Sequence, residues 1–282
     1  MKRIVYSLVT LLIGSVAMAQ IQMPAPSPTF ELKGTVGLAE VKVVYSRPSA
    51  REREIAGNLI PYNEVWRTGA NASTKITFSE DVLIEGENLP AGEYALYTEF
   101  TEEVATVIFS KNLSWRGAIG YESKDDQLRV DVPVKHPSSH YETFTISFSD
   151  FTMNSANLNM KWGHTKAMVN IEAKVDERVM AQIKEQVIDN TPQNAGVYFQ
   201  AATYYYDTER DSEMALDWVN KAIEGSPEKQ YWVMHLKAKL LVKLNRKSEA
   251  RTAAEESMEL AKSQDNPDYV RLNEKLIASL ED

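Results

Sequence analysis

The chain has 282 residues, 43% hydrophobic and 25% charged, a balance that excludes a disordered protein and allows one large domain or two ordinary ones. Basic and acidic residues number 15 and 20 over residues 20–174, and 14 and 20 over residues 175–282, so neither half offers a phosphate backbone an electrostatic footprint and nucleic acid is not expected as a partner. The absence of cysteine excludes disulfides, thiol catalysis and anchoring through a lipidated N-terminal Cys.

At the start of the chain, Lys2 and Arg3 precede an apolar run from Ile4 to Val16, and Ala17-Met18-Ala19 puts small residues at the two positions that a signal peptidase reads. Residues 1–19 are therefore expected to be a signal peptide cleaved before Gln20, leaving an exported, periplasmic or extracellular chain whose net charge moves from −9 to −11 with the loss of Lys2 and Arg3. The run is shorter than the roughly 20 residues needed to span a bilayer and no later segment comes close, so the protein is not expected to be membrane-embedded. Residues 20–31, with Pro24, Pro26 and Pro28, read as an extended, poorly folded lead-in.

From Leu32 the period is close to two. Val41–Tyr45, Thr74–Phe78, Val82–Ile84, Tyr94–Tyr97, Thr106–Phe109, Leu128–Val132, Phe144–Phe148, Leu158–Trp162 and Met168–Ile171 read as short strands, with turn chemistry at Glu85-Gly86-Glu87-Asn88 and Pro90-Ala91-Gly92. Strands without intervening helices predict an antiparallel β-sandwich or jelly-roll-like domain over residues 32–174, with a closed barrel as the competitor. Near Val175 the period changes. Asp176 is placed to cap a helix carrying Val179, Ile183, Val187 and Ile188, ending before Thr191-Pro192. The expectation is an α+β protein of two domains, the second an all-α helical-repeat domain over residues 175–282.

The repeat reading rests on two segments that align at a 35-residue offset. Phe199, Ala202, Tyr206, Ala215, Val219, Ala222 and Pro227 fall on the spacing at which tetratricopeptide repeats pack small against large residues, and this segment resembles that family. Met234, Ala238, Leu241, Ala250 and Ala254 keep the register in the second segment, while Lys237 and Ser257 depart from it and the terminal Pro slips to Pro267. Asp268–Leu280 reads as the capping helix such arrays need over their last apolar face.

Three motifs recur in order in the first half: Val43-Val44-Tyr45-Ser46-Arg47-Pro48-Ser49, then Leu59-Ile60-Pro61-Tyr62 with Val65-Trp66-Arg67-Thr68-Gly69-Ala70-Asn71, then Leu89-Pro90-Ala91-Gly92-Glu93-Tyr94-Ala95-Leu96-Tyr97. Together they resemble domain-of-unknown-function family 2911 from about Leu32 to Ala173. The resemblance implies a β-rich exported domain, sometimes joined to helical repeats, and implies no reaction. One local departure is Arg51-Glu52-Arg53-Glu54, where that family tends to carry a Lys-Gly-Arg element.

The segment Trp66–Asn71 has two physical readings. In one, an Arg fork and an Asn amide beside an indole recognise a carboxylate or sugar hydroxyls, with Tyr45, Ser46 and Arg47 lining the same pocket and Trp115-Arg116 as a secondary pocket wall. In the other, Trp66 anchors the core, Arg67 pairs with a carboxylate such as Glu64, and Gly69 and Asn71 supply turn conformations. The candidate ligand-binding residues are therefore Tyr45, Arg47, Tyr62, Trp66, Arg67, Asn71 and Trp115.

Catalytic templates are not matched. There is no Gly-x-Ser-x-Gly elbow and no phosphate-cradling glycine loop, and no cofactor is implied. His136-Pro137-Ser138-Ser139-His140 has the separation of some zinc pairs, but a Pro-Ser loop does not place both rings on one helical face, so no metal is expected. His164 reads as a turn residue, and His235 as structural. Asp125-Asp126 reads as a solvated loop rather than a glycosidase pair. In the helical half most of Tyr198, Phe199, Tyr204, Tyr205, Tyr206, Trp218, Tyr231 and Trp232 are expected between helices, with at least one of the three consecutive tyrosines near the surface. The leading expectation is a non-enzymatic binding protein, with a small polar or carbohydrate-like ligand on the β-domain and a protein partner on the helical repeats. The alternatives are a hydrolase with a site on the β-domain and a structural envelope component.

Overall fold

The computed structural model describes residues 23–115 and 117–281 and separates them into two units, ending and beginning at Lys174 and Val175. The expected signal peptide and Gln20–Gln22 of the lead-in lie outside the described residues.

In the first unit the strands are β1 (Thr29–Val36), β2 (Ala39–Ser46), β3 (Val65–Trp66), β4 (Thr74–Phe78), β5 (Val82–Ile84), β6 (Glu87–Leu89), β7 (Gly92–Phe100), β8 (Val104–Ser110), β9 (Asp126–Pro133), β10 (Tyr141–Ser149), β11 (Ser155–Gly163) and β12 (Thr165–Ala173). All pair antiparallel, in two sheets. One has the order β1-β2-β4-β7-β8-β9, with β3 also on β7, and the other has the order β10-β11-β12-β5-β6. The strand β2 shows how period two makes a sandwich: Ala39, Val41, Val43 and Tyr45 are buried, while Glu40, Lys42 and Val44 are not. Facing them, β11 buries Ala156, Leu158, Met160 and Trp162, and β12 buries Ala167, Val169, Ile171 and Ala173. The rings of Tyr45 and Phe144 meet edge to face across the two sheets at 5.7 Å.

The strand β7 is covered on both faces. Tyr94, Leu96 and Thr98 belong to one face, while Ala95 and Tyr97 pack with Ile108 beneath Leu113, Trp115 and Tyr121 of the connection after β8. Asp126, expected in a solvated loop, instead opens β9 with its side chain 6% exposed. It accepts from the Tyr121 hydroxyl at 2.5 Å and from Arg129 at 3.1 Å. Burial, helped by Asp126, holds the Tyr121 phenol well above its ordinary pKa. Thr29–Glu31, expected in the lead-in, form part of β1 and pair with Val44–Ser46.

The second unit holds α1 (Val175–Ile183), continued by a π turn to Ile188, then α2 (Ala195–Asp207), α3 (Ser212–Glu224), α4 (Tyr231–Lys243), α5 (Lys247–Ser263) and α6 (Pro267–Ala278). Asp176 lies inside α1 rather than at its cap, accepting from the Tyr204 hydroxyl at 2.7 Å and pairing with Arg210. The caps that form are Asn194, Asp211 and Asn266, each accepting from backbone N–H groups of the first turn that have no partner inside the helix. Neighbouring helices pair in sequence from α2 to α6, burying Ala202, Ala215, Val219 and Ala222, then Met234, Ala238, Leu241, Ala250 and Ala254.

Between α4, α5 and α6 sits a polar cluster. The buried Asn273 donates to the Ser257 Oγ at 2.8 Å and to the Tyr269 carbonyl at 2.7 Å. Its Oδ1 lies 2.7 Å from the His235 Nδ1, which must be the donor there because the Asn273 amide nitrogen is already committed. Ser257 in turn donates to the Tyr231 carbonyl at 2.6 Å. Burial pushes the His235 imidazole below its ordinary pKa.

Candidate functional site

The segment Arg67–Thr74 turns the chain from β3 into β4 through unusual backbone. Thr68, Gly69 and Asn71 have φ of 53°, 155° and 61°, and a β-branched residue at positive φ persists only where its surroundings over-determine it. Here they do. The Thr68 and Thr98 hydroxyl oxygens lie 2.5 Å apart, the Thr74 hydroxyl donates to the Thr68 carbonyl at 2.5 Å, and the Thr74 N–H donates to the Arg67 carbonyl at 3.2 Å. Gly69 is needed for contact: a Cβ there would stand 3.0 Å from the Ser46 carbonyl oxygen and 3.1 Å from the Thr74 hydroxyl. Ser73 closes the corner, its Oγ 2.8 Å from the Tyr97 hydroxyl and 3.2 Å from the Trp115 carbonyl.

This corner is also one wall of an open cleft of about 410 Å³. Trp66 separates the cleft from the interior, stacking on Trp162 with centroids 5.8 Å apart and meeting Phe144 edge to face at 5.0 Å. Arg67 donates from Nη1 to the Asn71 carbonyl at 2.9 Å, and a Cβ at Gly117 would reach within 2.9 Å of its guanidinium carbon. The Asn71 amide donates to the Ser27 carbonyl at 3.2 Å and to the Ser46 Oγ at 3.3 Å, drawing the lead-in against the corner so that Pro26 and Ser27 complete that side.

The opposite wall is the turn Ala50–Arg53, where the Arg53 N–H donates to the Ala50 carbonyl at 3.1 Å and Arg51 and Glu52 have φ of 51° and 62°. Two consecutive left-handed residues are the signature of a type I′ turn, which favours Asn and Gly. This turn is held by the Glu142 carboxylate, which accepts from the Arg51 N–H at 2.9 Å, and by the Arg53 guanidinium, which donates to the Ser49 and Ala50 carbonyls at 2.8 Å each. Arg51, Arg53 and Arg67 all line the cleft, and the described lining contains no carboxylate and no imidazole.

The seven residues expected at a site therefore divide. Trp66, Arg67 and Asn71 come together in the cleft, while Tyr45, Arg47, Tyr62 and Trp115 do not line it. Strand alternation turns Tyr45 into the core, where its hydroxyl and the Ile146 N–H form a 3.1 Å bond. Arg47 is pinned on β10, donating to the Phe144 carbonyl at 3.1 Å and the Thr145 hydroxyl at 2.8 Å. Trp115 packs beside Tyr97 and Tyr121. Tyr62 packs against Gly57 and lines a separate cleft of about 340 Å³ with His136, His140, His164, Glu54 and Glu102. That second cleft brings His164 beside His140, with ring centroids 5.2 Å apart, a neighbour the spacing did not reveal. Among the described residues no group of three or more His, Cys, Asp or Glu could hold a metal ion. The pairing of Arg67 with Glu64 does not form. Sequence reading missed Arg51, Arg53 and Trp162; the available signal was a charged Arg-Glu pair where the resembling family places glycine.

Fold and cleft together define a two-part α+β chain whose antiparallel sandwich carries a cleft lined by three arginines and, among the described residues, no carboxylate. The chain belongs to the family described as a protein of unknown function (DUF2911), whose profile matches residues 27–171, a little over half of the sequence. Neither a curated protein nor a solved structure gives a significant match. No described helix is long and apolar enough to cross a membrane.

Proposed function

We propose that the β unit is a binding module whose cleft receives a small polar, carbohydrate-like ligand, in an exported protein whose tetratricopeptide-like helical unit docks a protein partner. The observation that carries the ligand reading is the cleft itself: about 410 Å³, within the range of small-molecule sites, open to solvent, with Trp66 offering an aromatic face beside polar donors. Among the described lining residues there is no carboxylate or imidazole, the side chains best suited to moving a proton at neutral pH, and this favours binding over hydrolysis. For the helical unit, support comes from the burial of the small repeat positions Ala202, Ala215, Ala222, Ala238, Ala250 and Ala254 between paired helices. Export is supported by the basic start, apolar run and Ala-Met-Ala of residues 1–19.

The ligand reading is tested by thermal shift of the purified protein against a panel of neutral saccharides, sugar acids, sugar phosphates and peptidoglycan fragments. At least one compound should raise the melting temperature of the wild type. Ala70→Trp, which fills the cleft from a half-buried lining position, should abolish that rise. A panel without effect, or a rise that persists in Ala70→Trp, removes the cleft as a binding site.

A further inference from the structure

Among the described arginines, some lie beside a carboxylate and some do not. Arg129, Arg210, Arg246, Arg251 and Arg271 each lie within ion-pair distance of a carboxylate. Arg47, Arg51, Arg53 and Arg67 are in no such pair among the described residues; Arg47 is spent on the Phe144 carbonyl and the Thr145 hydroxyl of β10, and the other three line one cleft. In a chain with net charge −9 and 40 acidic residues, three guanidiniums and no carboxylate among the described lining residues of one cleft are a local reversal of the prevailing field, with Glu52 and the Glu142 carboxylate at the Ala50–Arg53 turn outside that lining. Internal bonds do not exhaust them. Arg67 uses Nη1 on the Asn71 carbonyl, Arg53 uses Nε and one Nη2 bond on backbone carbonyls, and the Arg51 guanidinium makes no hydrogen bond among the described residues. Arg51 is also held at positive φ, a conformation that costs about 1 kcal/mol or more for a side chain of its kind. A turn that needed only to reverse the chain would be less strained with Asn-Gly, whereas this one carries a strained Arg51 whose exposed guanidinium has no hydrogen bond among the described residues.

We propose that the group recognised in the cleft is an anion, a carboxylate or phosphate carried on a compact ligand, held by the guanidinium groups of Arg51, Arg53 and Arg67 with its less polar face toward Trp66. The inference rests on the binding function of the same cleft and specifies its ligand chemistry. Guanidinium forks match the paired oxygens of both groups, and an open cleft next to Trp66 leaves room for the ring or chain that bears them. Recognition is electrostatic at heart, so it weakens as salt screens the charges.

The test uses three probes of one skeleton, glucose, glucuronate and glucose 6-phosphate, titrated into the purified protein while indole and guanidinium NMR signals are followed. Glucuronate, glucose 6-phosphate or both should move the signals of Trp66 and the cleft arginines, glucose should not, and the affinity should fall severalfold between low and high salt. Arg51→Gln removes a side chain with no internal bond and should weaken the anionic probe about tenfold without shifting the melting temperature. Arg51→Lys should recover part of the loss. The difference between glucuronate and glucose 6-phosphate assigns carboxylate or phosphate. If glucose binds as well as its anionic counterparts, or Arg51→Gln and Arg53→Gln both leave the anionic affinity unchanged, the anion inference fails while the binding function survives. If none of the three perturbs the cleft, the anion inference fails, and if in addition the wider panel raises no melting temperature, the binding function fails with it.

Discussion

Each unit of the chain contains a buried polar cluster, and the two differ in what they leave over. The cluster of Ser257, Asn273 and His235 is closed: both amide bonds of Asn273, its carbonyl oxygen and the Ser257 hydroxyl end on partners within α4, α5 and α6. The corner at Thr68, Ser73 and Thr74 likewise gives each of its hydroxyls a partner, yet among the described residues Arg67 at its edge makes one hydrogen bond, from Nη1, out of five N–H groups. A satisfied polar cluster is architecture, and donors remaining beside an open cleft are what a ligand can use. Trp66–Asn71 is thus a structural corner on one side, and on the other it presents the donors that the proposed ligand would use.

The sharpest way to break the comparison is at the closed cluster. Asn273→Ala removes three bonds at once, leaves the His235 Nδ1–H without its acceptor and opens a small cavity at a position with no solvent exposure. The expected cost is about 3 kcal/mol, read as a lowered urea midpoint of the helical ellipticity. Ligand binding by the β unit should be unchanged. A loss below about 1 kcal/mol would mean that the cluster is less closed than its bonds indicate.

Gly69→Ala tests the corner in the same way with a smaller expected effect. The new Cβ meets the Ser46 carbonyl oxygen at 3.0 Å, a backbone atom that cannot swing aside, and φ of 155° is a region that side chains rarely adopt. The cost should be about 2 kcal/mol by tryptophan fluorescence during unfolding. Unlike Asn273→Ala, it should also weaken cleft binding, because the displaced segment carries Arg67 and Asn71. Stability loss with binding intact would separate the corner from the cleft.

Much of the fold was legible because burial in a sandwich is written in period two. The nine expected strands lie within β2, β4, β5 and β7 through β12. The three that escaped had no such signature. β1 is largely exposed along its length, β3 has two residues, and β6 begins at Glu87 because Glu85 and Gly86 alone, at positive φ, make the hairpin turn. The cleft was half legible. Trp66, Arg67 and Asn71 announced themselves by residue type, whereas Arg51 and Arg53 come into place through a left-handed turn whose residues do not favour that conformation. Tyr45 and Arg47 sat close in sequence but were drawn elsewhere by strand alternation and by bonds to β10.

The smallest expected effect has the opposite sign and isolates that turn. Glu52 has φ of 62° and is exposed, and it does not line the cleft. Glu52→Gly relieves a left-handed side chain, worth about 1–2 kcal/mol, and gives back about 0.5–1 kcal/mol in the added freedom of the unfolded chain. The net gain should be between a few tenths and about 1 kcal/mol, visible as a small rise in melting temperature. Because the substitution also removes a negative charge between Arg51 and Arg53, the affinity for an anionic probe should rise, most clearly at low salt. Stability and affinity moving up together would show that the strain of the turn is tolerated by the fold without being required for function. A drop in affinity with stability gained would instead make the stiffness of Glu52 part of how Arg51 is presented, placing the turn on the same footing as the corner across the cleft.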